Sequence, residues 1–243
     1  MILNGKSLET NWKFEICKTS HVLNFIIPRV AGVENNVVHV TYKINQTVNN
    51  ILFDAMNGKL ENLSDDDKNK LDHEIHFSGV KNFLRVMKNN AGILIGGSYP
   101  LAKYTVDYLK AFDNCDVYMG WSKWGNVYKY IVESHDFINS KYKRKNMFSA
   151  LTMDIFNYIH NPWTRVLKGK RILIVSPFIE SIKKKESIRD KIYGVDLFPD
   201  CTFVYAKPPQ TQGQIRSKDY NLELEPFLEK LNSLKDSFDI ALC

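Results

Sequence analysis

The feature that most constrains this chain is a short apolar run, Ile172-Leu173-Ile174-Val175, followed by two more strand-like segments, each one helix further along. Unbroken apolar runs of about four to eight residues mark strands covered on both faces, because a strand with one wet face alternates instead. Ser176-Pro177-Phe178 stops the first run, and helical spacing follows from Ile179 to Ile192. Cys201 to Ala206 reads as a second strand, halted by Lys207-Pro208-Pro209. A helix from Asn221 to Ser237 then carries Leu222, Leu224, Phe227, Leu228, Leu231 and Leu234 on one side, and Phe238 to Leu242 is the third strand. Strands alternating with helices of this length imply right-handed crossovers and a parallel sheet. Residues 165 to 243 are therefore expected to form a βαβαβ unit, and the chain a Rossmann-like α/β fold with a parallel sheet flanked by helices.

With 243 residues, 44% of them hydrophobic, the chain can bury a sizeable core. It reads as one α/β domain with an N-terminal part, 1–160, and a βαβαβ part, 161–243. Cys17, Cys115, Cys201 and Cys243 show neither zinc-site spacing nor a disulfide framework, which favours a reducing compartment. No stretch approaches the roughly 20 apolar residues of a membrane span, and Met1 to Phe14 lacks a signal-peptide core, so a cytoplasmic protein without a transmembrane segment is expected. The formal charge is +6, with much of the excess in Lys141, Lys143, Arg144 and Lys145 and in Lys168, Lys170 and Arg171. Such runs are either solvated ends of elements or contacts to a phosphate-bearing ligand or anionic surface; a nucleic-acid partner is not expected.

Upstream, Val22 to Ile27 reads as a buried strand, and a polar segment, Arg29 to Asn36, leads into a second strand at Val37-Val38-His39-Val40. Ser64 followed by Asp67 is a helix-capping signal, with a helix continuing toward Val86. A strand or turn is expected at Ala91 to Ile95, a helix from Pro100 to Phe112, a strand at Asp116 to Gly120, and a helix from Asn146 to Tyr158. Trp121, Trp124 and Trp163 serve either core packing or stacking on a sugar or base. His73, Glu74 and His76 lie too close in sequence to separate a metal site from an exposed helix face.

In open parallel sheets, ligands bind beyond the carboxyl ends of the strands, where helix N-termini present free backbone donors. That rule selects Ser176-Pro177-Phe178 and Lys207-Pro208-Pro209-Gln210, unless these are ordinary strand-ending turns. Ser176 and Gln210 can hydrogen-bond a nucleotide or sugar, and Lys207 can neutralise a phosphate. The segment Pro28 to Asn36 adds a cation, Arg29, a glycine, Gly32, a carboxylate, Glu34, and the amides Asn35 and Asn36. Arg29 can grip a diphosphate, and Glu34 can hold a metal or act as a base. No glycine-rich dinucleotide fingerprint and no P-loop pattern follows these strands, which removes the usual anchors of nicotinamide and nucleoside-triphosphate enzymes.

The stretch Pro162 to Phe178, PWTRVLKGKRILIVSPF, resembles a signature of bacterial and viral glycosyltransferases of the GT-D fold type, related to the family once labelled domain of unknown function 1792. The likeness extends more loosely to Leu197-Phe198-Pro199, Pro209-Gln210, Phe238 to Cys243, Ala91-Gly92-Ile93 and Asp116 to Trp121. It implies transfer of a sugar from a nucleotide-sugar donor to a hydroxyl of a glycan or other acceptor. The donor would be bound by Arg29, Gly32, Asn35, Ser176, Pro177, Phe178, Lys207 and Gln210. The resemblance makes Glu34 a donor-site candidate and identifies no catalytic base; by its residue type Glu34 is the expected catalytic carboxylate and ligand of a divalent metal, Mn or Mg. The family carries an arginine followed by Gly-Asp-Gly-Glu; here Arg29 and Glu34 match, but Gly32 replaces the first acid. A single carboxylate holds a divalent ion more weakly than two. The resemblance also implies a glycine-rich turn and further α/β structure after the last strand, so a C-terminal truncation is expected at Cys243. The lost acid and that terminus favour an alternative, a catalytically inactive α/β binding or scaffolding protein on the same fold.

Overall fold

Val37, Ile44 and Val48 recur at seven- and four-residue intervals, and all are buried. That rhythm is helical, and in the computed structural model Gly32–Thr47 is helix α1. The strand expected at Val37 to Val40 and the loop expected at Gly32 to Asn36 are corrected accordingly: four β-rich residues imitate a strand, whereas the wider spacing through Thr41, Ile44 and Asn45 decides the matter. The residues described are 2–3, 6–7, 32–54, 63–91, 98–115, 117–120, 129–149, 163–192, 199–209 and 220–242. They fall into two compact units, one of residues 26–150 and 211–215, the other of residues 1–25, 151–210 and 216–243.

In the first unit α1 is central and packs against α3 (Val80–Ala91), α4 (Ser98–Asp113) and α5 (Lys129–Lys141). Val37, Ile44 and Val48 join one cluster with Leu71, Met87 and Leu101, while neighbouring Val38 joins another with Leu109, Phe112, Tyr118, Ile138 and Tyr142. Adjacent residues on a helix enter different clusters only when the helix is covered on more than one side. Helix α2 (Asp65–Phe77) starts as expected: Ser64 Oγ accepts the Asp67 N–H at 3.1 Å and donates to the Asp67 carboxylate at 2.8 Å. It ends at Ser78-Gly79 rather than running on, because Gly79, at φ +75°, turns the chain into α3.

Strand β1 (Val117–Gly120) was expected and is fully buried. Its partner was not: Asn146–Ser149, expected as the start of a helix, is strand β2, parallel to β1 with Tyr118 opposite Met147. The crossover between them contains α5, so β1, α5 and β2 form a second βαβ unit. The Met147 side chain lies over Gly120, where an added Cβ would stand 2.6 Å from Sδ and make that side chain shift.

The other unit bears out the C-terminal reading. Strands β3 (Arg171–Val175), β4 (Thr202–Ala206) and β5 (Ile240–Leu242) make a parallel sheet in the order β4-β3-β5. Adjacent Ile172 and Leu173 are both buried, as a strand covered on two faces requires. Helix α6 (Ile179–Glu186) ends earlier than expected, at a turn through Ser187-Ile188, before a separate helical turn at Arg189–Ile192. Helix α7 spans Tyr220–Ser233 and leads to β5. The chain is therefore a mixed α/β protein with a parallel three-stranded sheet flanked by helices.

Candidate functional site

Parallel pairing sets Val175 opposite Ala206, so the residues that follow them emerge side by side at the carboxyl end of the sheet. Ser176 N–H donates to Ala206 O at 3.3 Å, which ties the two turns together. The structure thus brings Ser176, Pro177, Phe178 and Lys207 to one rim. Ser176 Oγ accepts the Phe178 N–H at 3.2 Å, leaving its own hydroxyl hydrogen free to donate outward. Phe178 stands at the N-cap of α6 with no side-chain cap bond, so the first backbone N–H groups of that helix are open to a ligand. Its ring is 66% exposed, enough for a base or sugar to lie on it. Lys207 is exposed and has no carboxylate partner among the described residues. A hydroxyl donor, a cation, an uncapped helix end and a bare aromatic ring form a set suited to an anion that carries a flat group. Gln210 lies outside the described residues.

The other candidate group lies in the first unit. Gly32 and Glu34 are in the first turn of α1, where Glu34 is half-buried and is the acidic residue of that turn. A carboxylate is favoured there by the helix dipole. Asn35 is fully buried, and neither its amide nitrogen nor its amide oxygen has a hydrogen-bond partner among the described residues. Asn36 Oδ1 is likewise buried and unpartnered. One turn on, the His39 ring stacks on Phe137 at 5.0 Å, and burial, then Lys43, pull its pKa below the usual value against the opposing pull of Glu133. His135 Nε2 is buried without a partner, and burial also lowers its pKa. Pro28 and Arg29 lie outside the described residues, as do Trp121 and Trp124.

Asn35 and Asn36, expected as loop amides, are buried polar groups of a helix, and His39 and His135 join them as buried polar residues that the sequence does not single out. The available signal was polar residues interrupting an apolar helical rhythm, visible once residues 32–47 are read with period 3.6 rather than 2. Other polar groups of α1 are spoken for: Thr41 donates to Val37 O, while Asn45 donates to Asn50 Oδ1 and accepts the Phe53 N–H, both at 2.8 Å. The cluster of His73, Glu74 and His76 lies on α2 around an exposed Phe77. Among the described residues, no group of three or more His, Cys, Asp or Glu side chains could hold a metal ion. Toward a divalent ion, the oxygen donors that the α1 turn offers are one carboxylate, Glu34, and the amide oxygens Asn35 Oδ1 and Asn36 Oδ1, a hard but weakly charged set that does not by itself make a divalent site.

The fold defines the class: a mixed α/β protein with a three-stranded parallel sheet flanked by helices. Comparison adds no closer kinship, since no family model, no curated protein and no solved structure matches the chain.

Proposed function

We propose that the chain is a glycosyltransferase that takes a sugar from a nucleotide-sugar donor. The observation that carries this reading is the juxtaposition of Ser176 and Lys207 beside the uncapped start of α6 and the exposed Phe178 ring. The nucleotide base or ribose lies on Phe178, while the diphosphate accepts hydrogen bonds from Ser176 and the α6 backbone and is neutralised by Lys207. Transfer breaks the bond between the anomeric carbon and the diphosphate oxygen as an acceptor hydroxyl oxygen attacks that carbon, and the departing diphosphate takes the negative charge. Donors fixed where that charge develops stabilise the transition state. Of the remaining candidates, Gln210 belongs to the same unit as this rim, while Arg29, Gly32, Glu34 and Asn35 belong to the other unit and stand as separate candidates, Glu34 for taking an acceptor proton. Gly32 in the place of the first acid favours a second reading, an inactive α/β binding or scaffolding protein.

A panel of nucleoside diphosphates and sugar nucleotides, with and without manganese, tests the proposal by thermal shift, since a ligand that binds the folded state raises the melting temperature. Stabilisation by a sugar nucleotide is expected, and Lys207→Ala should weaken it about tenfold, the low end for a charge-assisted bond because Lys207 is exposed. A flat panel on folded protein refutes nucleotide binding. Turnover of radiolabelled sugar nucleotides then separates enzyme from scaffold, and Glu34→Gln turning over as fast as the parent removes Glu34 from the mechanism.

A further inference from the structure

Two basic stretches of sequence meet at the amino end of the parallel sheet, opposite the rim that carries Ser176 and Lys207. The turn Lys168-Gly169-Lys170 leads into β3 and is tied to the chain that begins β4: Gly169 N–H donates to Asp200 O at 2.6 Å, and Thr202 N–H donates to Lys170 O at 3.1 Å. The residues after α6 reach the same place, where the Arg189 guanidinium donates to Pro199 O at 3.3 Å. Lys168, Lys184, Lys185 and Lys191 are exposed and have no ion-pair partner among the described residues. The neighbouring Lys183 is paired with Glu180 at 3.7 Å, while the Glu186 carboxylate, which accepts the neutral Tyr205 hydroxyl at 2.6 Å, keeps its negative charge. Asp200 remains exposed there and subtracts one charge.

Arg171 and Arg189 are engaged, and Arg165, which precedes Lys168, has an interaction as well. Arg171 donates to the Asp239 carboxylate and to Asp236 O, and Arg189 bonds Pro199 O and lies over the Phe203 ring. The exposed lysines here carry ammonium groups, and Ile188, a large aliphatic side chain that lies between Lys185 and Lys191 in sequence, is 45% exposed. Planar two-pronged recognition of individual phosphates needs a free guanidinium, and base stacking needs an exposed ring or guanidinium plane. Lysines are point charges on long stems, matched to a diffuse anionic surface, and an exposed isoleucine among them gains by entering the boundary of acyl chains. We propose that this face docks onto an anionic lipid surface and leaves the opposite rim of the same sheet uncovered. The proposal does not depend on the sugar-transfer reading.

Flotation of the full chain with vesicles of phosphatidylcholine, and of phosphatidylcholine and phosphatidylserine at a ratio of about 7:3, tests it. Binding is expected to the mixed vesicles alone, and should weaken between about 0.1 M and about 0.5 M salt as the charges are screened. Each lysine near such a surface contributes about fivefold, so the triple variant K184Q/K185Q/K191Q should bind about a hundredfold more weakly. Ile188→Ser should reduce binding further at unchanged charge. Equal binding to both vesicle types, absence of binding at the lower salt, or a folded triple variant that floats like the parent overturns the proposal. So does tighter, lysine-dependent binding to single-stranded RNA, which would assign the face to nucleic acid. The salt series on the parent decides the matter even without the variants.

Discussion

Replacing Asn35 by leucine should make the protein more stable. Leucine keeps the branching and the number of heavy atoms of asparagine but has no polar atoms, and Asn35 is 0% exposed with both amide atoms unpartnered. A buried polar group without a partner costs about 1–3 kcal/mol. Two such groups give about 2–6 kcal/mol to recover, against about 1–3 kcal/mol for fitting two methyl groups into a packed helix contact. The net expectation is about 2 kcal/mol of stabilisation. In a chain of this size about 1 kcal/mol moves the melting temperature by about 2–4 °C, so Asn35→Leu should melt about 4–8 °C higher. Asn35→Asp, of the same shape but charged, should melt lower. Differential scanning calorimetry reads both. A leucine variant that melts several degrees below the parent shows that the amide is bonded in the folded state and refutes the reasoning.

Hydrogen bonds from the Arg171 side chain and backbone hold the Asp239 carboxyl at about 2, below its ordinary 3.8, so its stabilisation is complete above pH 3.8 and is lost as pH falls through about 2. The urea midpoints of parent and Asp239→Asn, compared across that interval, should converge at its acid end. Burial lowers the pKa of His39 and His135 below 6.5; the unfolded chain then binds more protons, and stability falls as pH drops through 6.5. A parent whose urea midpoint does not change from about pH 7.5 to about pH 5.5 would contradict this, and His39→Gln should flatten the slope. Ser64→Ala removes the cap of α2 and should cost about 1 kcal/mol by chemical denaturation.

The C-terminal unit was legible because its signals agree: the apolar run at Ile172 to Val175, the Pro stops at Pro177 and Pro208, and a leucine-rich helix before β5 all indicate parallel strands. Elsewhere the local signal misled. Val37 to Val40 is rich in β-branched residues, and only tertiary burial on more than one side shows why a helix there is valine-rich. Asn146 to Ser149 has too few residues for its period to be read, and its strand state depends on β1, about thirty residues away in sequence. At the candidate site, the rim residues Ser176 and Lys207 followed from strand ends alone. The unpartnered amides of α1 did not, since sequence cannot show which polar side chains find partners.

Arg171 carries a further consequence. Strand β5 has three residues, too few for its ladder to choose strongly among alignments with β3, and a shift by one residue would turn Ile240 and Leu242 to the wrong face. The fork of Arg171, closed on Asp239 Oδ1 and Asp236 O at 2.8 Å each, admits one alignment. An ion pair that adds little to stability in water thereby acts as an indexing pin for the third strand. Lysine at this position would keep the charge yet lose the geometry that makes the choice.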